Sequence, residues 1–513
     1  MPTPSQSQDE VFAFLADPHA HGGHQVTRID THGAAVFLAG DRVLKVKRAV
    51  KFPFLDYSTL DKRKAACEAE LEVNRPFAPQ IYRGVVAITK DRAGKLSLDG
   101  DGEPVEWALE MQRFDENATL DRLADNRKIN AALADELGRV VALAHRKTPV
   151  ADAGQWIAAL GAYVEQNDEA FKEWPALFPA EDAKAFTDAS RRLLKDLQPL
   201  LRQRGELGLI RRGHGDLHLG NIALIDSKPV LFDAIEFDPV VASGDVFYDL
   251  AFLLMDLVGR NLRPQANIVL NRYLADTRRD DDLDALAALP FFMAMRAAIR
   301  AKVTAAKLNH TGNDRKKSIE DSARAYFTLA TRLISPPSPM LIAVGGLSGT
   351  GKSVLARALA SYIPPEPGAV VLRSDVMRKR LFDTAETEKL PKEAYKPEVS
   401  ETIYNMLYEQ AQRVLAAGHS AIIDAVFAKA DEREPVAELA NASRVPFRGL
   451  FLTADIETRI KRVGGRIKDA SDADAEVVRK QADYDLGAIS WIEIDASGTP
   501  DDTLTRTRKV LDQ

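Results

Sequence analysis

The stretch SPPSPMLIAVGGLSGTGKS, residues 335–353, divides the chain into two parts. Its first residues include three prolines, which fix φ and remove backbone donors, so a helix cannot run through them. The apolar run Leu341 to Val344 that follows is typical of a strand buried in a parallel sheet. We therefore predict a proline-rich linker over residues 335–340, with one domain over 1–334 and another over 341–513.

A glycine-rich segment follows this strand and precedes a helix-compatible run, Val354 to Ile363. It reads GLSGTGKS and fits G-x-x-x-x-G-K-[ST], the phosphate-binding P-loop or Walker A motif. Glycines allow backbone N–H groups to surround a phosphate, and the helix N-terminus adds its dipole. We expect the lysine to reach the β- and γ-phosphates of ATP and the last serine to ligate Mg²⁺. The predicted nucleotide-binding residues are Gly346, Leu347, Ser348, Gly349, Thr350, Gly351, Lys352 and Ser353.

The composition is ordinary for a globular protein, with 45% hydrophobic and 28% charged residues among 513. A net charge of −6 gives no electrostatic basis for general nucleic-acid binding. The single cysteine, Cys67, excludes an intrachain disulfide and a CxxC metal site, which favours a reducing, cytoplasmic location. The N-terminus lacks a signal-peptide pattern, and no apolar run approaches the roughly 20 residues of a membrane span. We therefore expect a cytoplasmic protein that does not bind membranes, and the charge disfavours nucleic acid as a partner.

The part before the linker begins rich in strands and continues rich in helices. Three strands separated by turns are predicted over residues 24–52, and a helix over 59–75 that ends before a proline. Two more strands are predicted at 80–88 and 106–111. Beyond them an amphipathic helix is predicted over 131–146. This pattern predicts a β-rich lobe over about residues 24–113 and an α-rich lobe over about 114–334.

In the helical lobe, residues 214–221 read HGDLHLGN and lead into IALIDSKPVLFD. The second run predicts a β-hairpin in which DSKP forms a four-residue turn. Pairing Ile225 with Val230 places Ile222 opposite Asp233. The open end of the hairpin would then bring Asp233 next to the end of the HGDLHLGN loop.

Three side chains with oxygen atoms would meet at that open end. Asn221 and Asp233 lie side by side there, and two such oxygen ligands suit a hard cation such as Mg²⁺. Asp216 lies on the loop beside them, where its carboxylate could take a proton from a hydroxyl nucleophile. The stretch thus predicts a metal site with a general base beside it.

This pattern resembles the catalytic loop and metal-binding segment of the protein-kinase-like superfamily, and its wording is most similar to the aminoglycoside and choline phosphotransferases. The resemblance implies that Asp216 is the catalytic base and that Asn221 and Asp233 are the Mg²⁺ ligands. It also implies that Asp245 and Asp249, in the segment that follows, are structural. An α+β bilobal, protein-kinase-like fold is the corresponding expectation for the first domain.

The superfamily also uses a β-lobe lysine that pairs with a glutamate of a helix and binds the nucleotide phosphates. Lys45 is the first candidate, and Lys47 shares its face of the strand. Glu70 is the preferred partner because the resemblance is carried by CEAELEVN, and Met111 is expected at the hinge that contacts adenine. The chain lacks the G-x-G-x-x-G loop of protein kinases, which favours the phosphotransferases. Two other glutamates of the same helix remain alternatives to Glu70: Glu68 and Glu72.

Apolar strands and helices alternate after the P-loop, which predicts a parallel sheet in an α/β domain. Two acidic residues follow strands: Asp375 could deprotonate an acceptor hydroxyl, and Asp424 ends a strand as a Walker B acid does. Arg378, one turn after Asp375, could hold an anionic or polar substrate. Arg459, Arg462 and Arg466 precede DASDADAEVV, and lid arginines there, Arg462 and Arg466 above all, could neutralise the transferring phosphoryl group.

These elements resemble the small P-loop kinases, among them the gluconate-kinase, zeta-toxin and polynucleotide-kinase relatives. The whole chain is similar to bacterial proteins described as bifunctional phosphotransferase/ATP-binding proteins. The resemblance implies two ATP-dependent phosphotransferases, each transferring a phosphoryl group to a hydroxyl of a small molecule with Mg²⁺. A P-loop ATPase with a ligand-binding N-terminal domain is one alternative, and a kinase of protein or nucleic-acid ends is another. The acceptors and the oligomeric state stay open at this point.

Overall fold

The computed structural model of the chain describes residues 4–52, 55–310, 312–465 and 470–511. Its first lobe contains a six-stranded antiparallel sheet and two helices. These elements are α1 (Pro4–Ala16), β1 (Val26–Asp30), β2 (Ala34–Ala39), β3 (Arg42–Lys47), β4 (Lys51–Phe52), β5 (Leu55–Asp56), α2 (Leu60–Asn74), β6 (Tyr82–Lys90), β7 (Leu96–Leu98) and β8 (Glu103–Gln112).

The six-stranded sheet has the strand order β1-β2-β3-β8-β6-β7. One face is covered by α1, which the sequence analysis did not assign as a helix. Val11 and Leu15 of α1 pack in one buried cluster with Phe37 and Leu44 of the sheet. Thr59, the residue before α2, accepts a hydrogen bond from the Lys62 N–H and so caps that helix.

The second lobe is mainly helical and contains two short two-stranded sheets, β10 with β11 and β9 with β12. Its longest helix is 27 residues. The elements are α3 (Leu120–Asp125), α4 (Ala131–Lys147), α5 (Ala153–Glu173), α6 (Ala180–Glu206), β9 (Ile210–Arg212), β10 (Ile222–Ile225), β11 (Lys228–Leu231), α7 (Pro239–Ala242), β12 (Ser243–Asp245) and α8 (Val246–Gly259).

The hairpin β10–β11 has a different register from the one predicted. Ile225 pairs with Lys228, not with Val230, and Ile222 is opposite Leu231, not Asp233. The turn is therefore two residues long. Its residues, Asp226 and Ser227, both adopt positive φ angles, 49° and 63°. Such a turn matches the right-handed twist of the flanking strands better than the predicted four-residue turn. Asp233 consequently lies beyond the end of the hairpin.

The remaining elements include a five-stranded sheet whose neighbouring strands all pair in parallel, in the order β14-β15-β13-β16-β17. This parallel sheet and the bilobal first part confirm the predicted fold class. The elements are α9 (Arg263–Thr277), α10 (Asp281–Asp284), α11 (Leu289–Ala306), α12 (Asn313–Leu333), β13 (Leu341–Gly346), α13 (Lys352–Ala360), β14 (Val370–Arg373), α14 (Ser374–Leu381), α15 (Pro397–Ala416), β15 (Ala421–Asp424), α16 (Ala430–Ser443), β16 (Phe447–Thr453), α17 (Ile456–Gly464), α18 (Ala475–Gln481), β17 (Ile492–Asp495) and α19 (Pro500–Leu511).

The chain divides into two compact units, and the boundaries between these units do not fall at the proline-rich segment. One unit is Met1–Tyr163 with Gln198–Asp256, and the other is Val164–Leu197 with Leu257–Gln513. Helices α9 to α12 therefore belong to the same unit as the P-loop sheet. Within the described ranges, no helix combines the length and apolar character needed to cross a membrane.

Candidate functional sites

The HGDLHLGN loop is fixed by Asp249 of α8. The two carboxylate oxygens of Asp249 accept hydrogen bonds from the backbone N–H groups of His214, at 2.8 Å, and Gly215, at 3.0 Å. His214 Nε2 lies 2.9 Å from the carbonyl oxygen of Phe232. Burial lowers the pKa of His214, so this imidazole is neutral and donates from Nε2. Asp249 and His214 thus determine the path of the loop.

The side chains of Asp216 and Asn221 are in direct contact. Asn221 Nδ2 donates to both the backbone oxygen and Oδ2 of Asp216, each at 3.0 Å. With both donors directed at Asp216, the amide oxygen of Asn221 remains available to a ligand. His218 Nδ1 accepts the Gly220 N–H at 3.0 Å. Where side chains are described, no group of three or more His, Cys, Asp or Glu residues forms a metal cluster.

A network of buried charges connects the sheet, α2 and the segment after the hairpin. Lys45 Nζ lies 2.7 Å from Glu70 Oε1 and 2.9 Å from Asp233 Oδ1. Lys47 Nζ lies 2.5 Å from Glu70 Oε2 and 2.5 Å from Glu236 Oε1. Glu70 therefore contacts both lysines, because they project from the same face of β3. Of the three glutamates that were candidates, Glu70 is the one in this network.

The pKa values of this network reflect close opposite charges. Burial favours the neutral acid, but the attraction of Lys45 and Lys47 outweighs it and lowers the pKa of Glu70 to about 2. Burial also opposes the charge on Lys45, yet Asp233 and Glu70 raise its pKa well above the usual value. Both groups are therefore ionised throughout the physiological range.

The backbone around Asp233 is held by two residues that sequence reasoning missed. Tyr82 Oη accepts the Asp233 N–H at 3.0 Å. Asn74, at the end of α2, accepts the Ala234 N–H at 2.7 Å and donates to the Ala234 carbonyl at 3.2 Å. Asp233 itself has a positive φ of 60°. These contacts hold its carboxylate near Lys45 despite the strained backbone.

Met111 lies in β8 near the point where the chain leaves the sheet. It pairs with Val43 of β3 and with Tyr82 of β6. Its half-buried side chain packs against the cluster that contains Ile81. The next two residues are held by backbone bonds, from Gln112 N–H to Ile81 at 2.7 Å and from Arg113 N–H to Asp41 at 2.7 Å.

The P-loop connects the C-terminal end of β13 to the N-terminus of α13. Gly346 has φ of 135°, and a Cβ there would lie 2.5 Å from the Leu452 carbonyl oxygen. A Cβ on Gly349 would lie 2.6 Å from the carbonyl oxygen of Arg459. Other residues cannot adopt this path, since both positions combine positive φ with close backbone contacts. Lys352 Nζ lies 3.3 Å from the Leu347 carbonyl oxygen.

The acidic residues predicted after the strands lie at the same edge of the sheet. Asp424 ends β15 and pairs in register with Val344 of β13 and Arg373 of β14. Its Oδ2 lies 3.3 Å from Arg373 Nε. Asp375 follows Arg373 directly, in the first turn of α14, and is half-buried. The P-loop, Asp424 and Asp375 therefore lie around one site.

The three predicted arginines have different environments. Arg378 is buried; its Nη1 donates to the Ala394 carbonyl at 2.5 Å and its Nη2 to Ser400 Oγ at 3.3 Å. Arg462 Nη1 donates to the Thr350 carbonyl at 3.4 Å, so it lies beside the P-loop. Arg466 lies outside the described residues.

Two further side chains bind the P-loop: Gln481, which sequence reasoning missed, and Arg459, the first of the three arginines noted in the sequence. Gln481 Oε1 accepts the Ser348 N–H at 2.7 Å. Arg459 Nε donates to the Ser348 carbonyl at 2.9 Å. Nothing local in the sequence marks Gln481, which is 133 residues from Ser348. Helices α17 and α18 are thereby attached to the phosphate-binding loop.

A cavity of about 1350 Å³ opens in front of the P-loop. It extends from α19 and α18 on one side to α14, α15 and the start of α16 on the other. Its walls include ten of the site residues predicted for this domain: Ser348, Gly349, Thr350, Gly351, Lys352, Ser353, Asp375, Arg378, Asp424 and Arg462.

Two protein-family models match the chain. The model described as the phosphotransferase enzyme family matches residues 36–289, and a model described as an AAA domain matches residues 341–484. With the bilobal fold and the P-loop sheet, these matches define a protein with two kinase-like domains.

Relatives that match almost end to end come from mycobacteria. The uncharacterized proteins Rv2004c of Mycobacterium tuberculosis and Mb2027c of Mycobacterium bovis are each 30% identical over 474 residues. The match covers 89% of this chain and 90% of each relative. The chain belongs to the protein family of these relatives.

Parts of the chain are also similar to solved structures. A choline/ethanolamine kinase family protein from Mesorhizobium loti is 15% identical, with 64% of this chain and 99% of that chain covered and a TM-score of 0.36. A sugar kinase from a Janibacter species is 22% identical, with 34% and 95% covered and a TM-score of 0.26. An APS kinase from Mycobacterium tuberculosis is 18% identical, with 34% and 99% covered and a TM-score of 0.26.

Proposed function

We propose that the chain is an ATP- and Mg²⁺-dependent phosphotransferase with two catalytic sites, each of which phosphorylates a hydroxyl group of a small molecule. The observation that carries the proposal for the first site is the contact of Lys45 with both Glu70 and Asp233. A lysine held between a helix glutamate and a metal-binding aspartate is the arrangement that positions nucleotide phosphates in kinase-like enzymes.

The donors of the first site fit a magnesium ion. Asn221 offers its amide oxygen, because its amide nitrogen is bound to Asp216, and Asp233 offers a half-exposed carboxylate. Oxygen donors of this kind are those that Mg²⁺ prefers. Bound there, Mg²⁺ would neutralise charge on the nucleotide phosphates.

Asp216 is the base of the proposed reaction at the first site. Its carboxylate takes the proton of the acceptor hydroxyl while the hydroxyl oxygen forms a bond to the γ-phosphorus. The bond from that phosphorus to the β–γ bridging oxygen breaks, and its electron pair leaves with ADP. Lys45, held by Glu70, positions the phosphates, and Met111 lies at the proposed adenine hinge.

At the second site the P-loop glycines and Lys352 bind the phosphates, and Ser353 and Asp424 are the proposed metal ligands. Asp375 takes the proton of the acceptor. Arg462 lies beside the P-loop as a lid residue, and Arg466 is proposed for the same role. Arg378 lines the acceptor side, where its bonds to Ala394 and Ser400 position the start of α15.

We also propose that the catalytic parts divide at residues 335–340, although helices α9 to α12 pack with the second part. A cytoplasmic location is proposed because the only cysteine, Cys67, is an unpaired, buried thiol.

The test is transfer of labelled phosphate from ATP to a panel of small alcohols by the full chain. Asp216→Asn should abolish labelling of one set of acceptors, and Lys352→Ala should abolish labelling of another. The exposed residues Asp196 and Lys509 provide matched controls, as Asp196→Asn and Lys509→Ala. If Asp216→Asn leaves the labelling of every acceptor intact, the assignment of the first site is contradicted. ATP hydrolysis that depends on Lys352 without any labelled acceptor would indicate an ATPase instead.

A further inference from the structure

The cavity in front of the P-loop has one wall that the proposed phosphate site does not use. This wall is a face of α15, together with the first turn of α16 and the residues around Asp375. Asp375, in the first turn of α14, places the acceptor on this side, since a proton acceptor must touch the hydroxyl that reacts. The side chains of this wall therefore face the acceptor. From α15 they are Glu398, Glu401, Tyr404, Asn405 and Tyr408, and from α16 Asp431 and Glu432.

Glu398 and Glu401 are three residues apart on α15, which brings their side chains about 5–6 Å from one another on one helix face. No described cation lies within ion-pair distance of either carboxylate, and the same holds for Asp375 and Asp431. All four carboxylates line the cavity. Among the residues that the structure describes, the acceptor side therefore carries four carboxylates without an ion-pair partner.

Three other acidic groups of the cavity are bound to side chains of the protein. Asp424 pairs with Arg373, and Asp472 pairs with the buried Lys379 at 2.8 Å. Glu432 Oε2 accepts the Tyr404 hydroxyl at 3.2 Å. The wall thus combines carboxylates that are bound to other groups of the protein with carboxylates that face the space in front of it.

Most of the described cations of the cavity are bound to other groups or lie on its phosphate side. Arg378 directs both terminal nitrogens at Ala394 and Ser400, and its guanidinium carbon lies 5.0 Å from the ring centre of Tyr395. Lys352 and Arg462 lie at the phosphate-binding loop. The other two cations in the described part of the lining are Lys429, at the start of α16, and Lys480, on α18 at the opposite side of the cavity.

Aromatic rings lie among these carboxylates. The hydroxyl of Tyr404 is bound to Glu432 and that of Tyr408 to the Glu432 carbonyl at 2.7 Å, so each ring is held in place. Fixed ring faces beside carboxylates attract organic cations and the apolar faces of sugar rings. An anionic acceptor would instead be repelled by the four carboxylates.

We propose that the acceptor of the P-loop site is an alcohol that carries at least one protonated amine, such as an amino sugar or amino cyclitol, and that Glu398 and Glu401 bind its ammonium groups. The inference rests on the proposed kinase function of this site. In the reaction, the acceptor hydroxyl oxygen bonds to the γ-phosphorus of ATP, Asp375 takes the hydroxyl proton, and the bridging oxygen leaves with ADP. The amines are not consumed and serve only to position the hydroxyl.

The test uses the full-length Asp216→Asn variant, so that the first site is silent, and a panel of alcohols in matched triples. Each triple contains an amine, its N-acetylated form and a carboxylate analogue of similar size. We expect ADP release that depends on Lys352 with amine members alone. Equal release with acetylated or acidic members, or amines that neither react nor bind in calorimetry, would overturn the proposal. ADP release that does not depend on Lys352 would count against the kinase function of the site rather than the acceptor class.

A second measurement separates binding from folding. Glu398→Gln with Glu401→Gln should raise KM for the amine acceptor by about tenfold or more, with little change in KM for ATP. Glu409→Gln is the matched control, because it lies on α15 outside the cavity lining and should change neither constant. An unchanged acceptor KM in the double variant would overturn the assignment of the two glutamates.

Discussion

The side-chain amide of Asn271 pairs with the backbone of Val371. Asn271 Oδ1 accepts the Val371 N–H at 2.7 Å, and its Nδ2 donates to the Ala369 carbonyl at 3.1 Å. Val371 lies in β14, the edge strand of the P-loop sheet, whose outer backbone groups would otherwise lack partners. Helix α9 lies before the proline-rich segment in the chain. It thus supplies hydrogen-bond partners to the edge of the sheet that follows this segment.

Asn271→Ala should destabilise the unit that contains the P-loop by about 1–2 kcal/mol, because the Val371 N–H loses its partner. Urea denaturation of the full chain measures this difference. Asn441→Ala is the control, since Asn441 is also helical but exposed, and it should change stability by less than about 0.5 kcal/mol. Equal effects of the two substitutions would show that the edge contact is energetically unimportant.

We expect Lys47, the second lysine of the charged network, to be energetically coupled to Glu236. Lys47 and Glu236 side chains are only 4% and 10% exposed, so Lys47→Met leaves Glu236 buried without its counter-charge. We expect a loss of about 3 kcal/mol, partly recovered by adding Glu236→Gln. A double-mutant cycle measured by denaturation gives the coupling energy.

The exposed pair Lys90–Glu10 provides the comparison for that cycle, with a nitrogen–oxygen distance of 2.8 Å and side chains 35% and 51% exposed. Its coupling should be below about 1 kcal/mol. If Lys47 and Glu236 show additive effects, the network does not act as a unit.

Asp249→Ala should impair the first site without touching any proposed reactant. Two buried N–H groups, those of His214 and Gly215, lose their acceptor, at a cost of about 1–3 kcal/mol each. Displacement of the loop should lower turnover that depends on Asp216 by about ten- to a hundredfold. Turnover that depends on Lys352 is the internal control, and a selective loss there would contradict the assignment.

The buried His419 should make stability depend on pH. Burial lowers its pKa to about 4, and Nδ1 has no hydrogen-bond partner among the residues described, while Nε2 lies 2.9 Å from the Gly368 carbonyl. Because the unfolded value is about 6.5, the native state binds fewer protons between these values. The stabilisation is present above pH 6.5 and is lost as the pH falls toward 4, by about 3 kcal/mol.

His419→Gln retains a donor for Gly368 but cannot titrate. As the pH is lowered from 7 to 4.5, the unfolding free energy of the wild type should therefore fall relative to that of the variant. A difference that is constant over this range would refute the contribution of His419.

Patterns within short stretches predicted much of the fold. The glycine spacing of the P-loop predicted its strand, turn and helix because each depends on backbone geometry within a few residues. Helix α2 and the strand bearing Lys45 were likewise predicted from local signals. The β10–β11 register was wrong, since it depended on whether Pro229 belongs to the turn or to the strand, where it is in fact paired with Leu224.

The sequence by itself determined the class of protein: two kinase-like parts, the P-loop, and the candidate groups for phosphate, metal and base. Only the tertiary structure decided which partners these groups have. Lys47 joins Lys45 on Glu70, Asn74 and Tyr82 hold the backbone beside Asp233, and Asn271 covers the edge of a sheet about a hundred residues away. Such contacts join residues far apart in the chain, and local propensity and periodicity contain no information about them; they arise when packed elements place buried charges and unpaired backbone groups together.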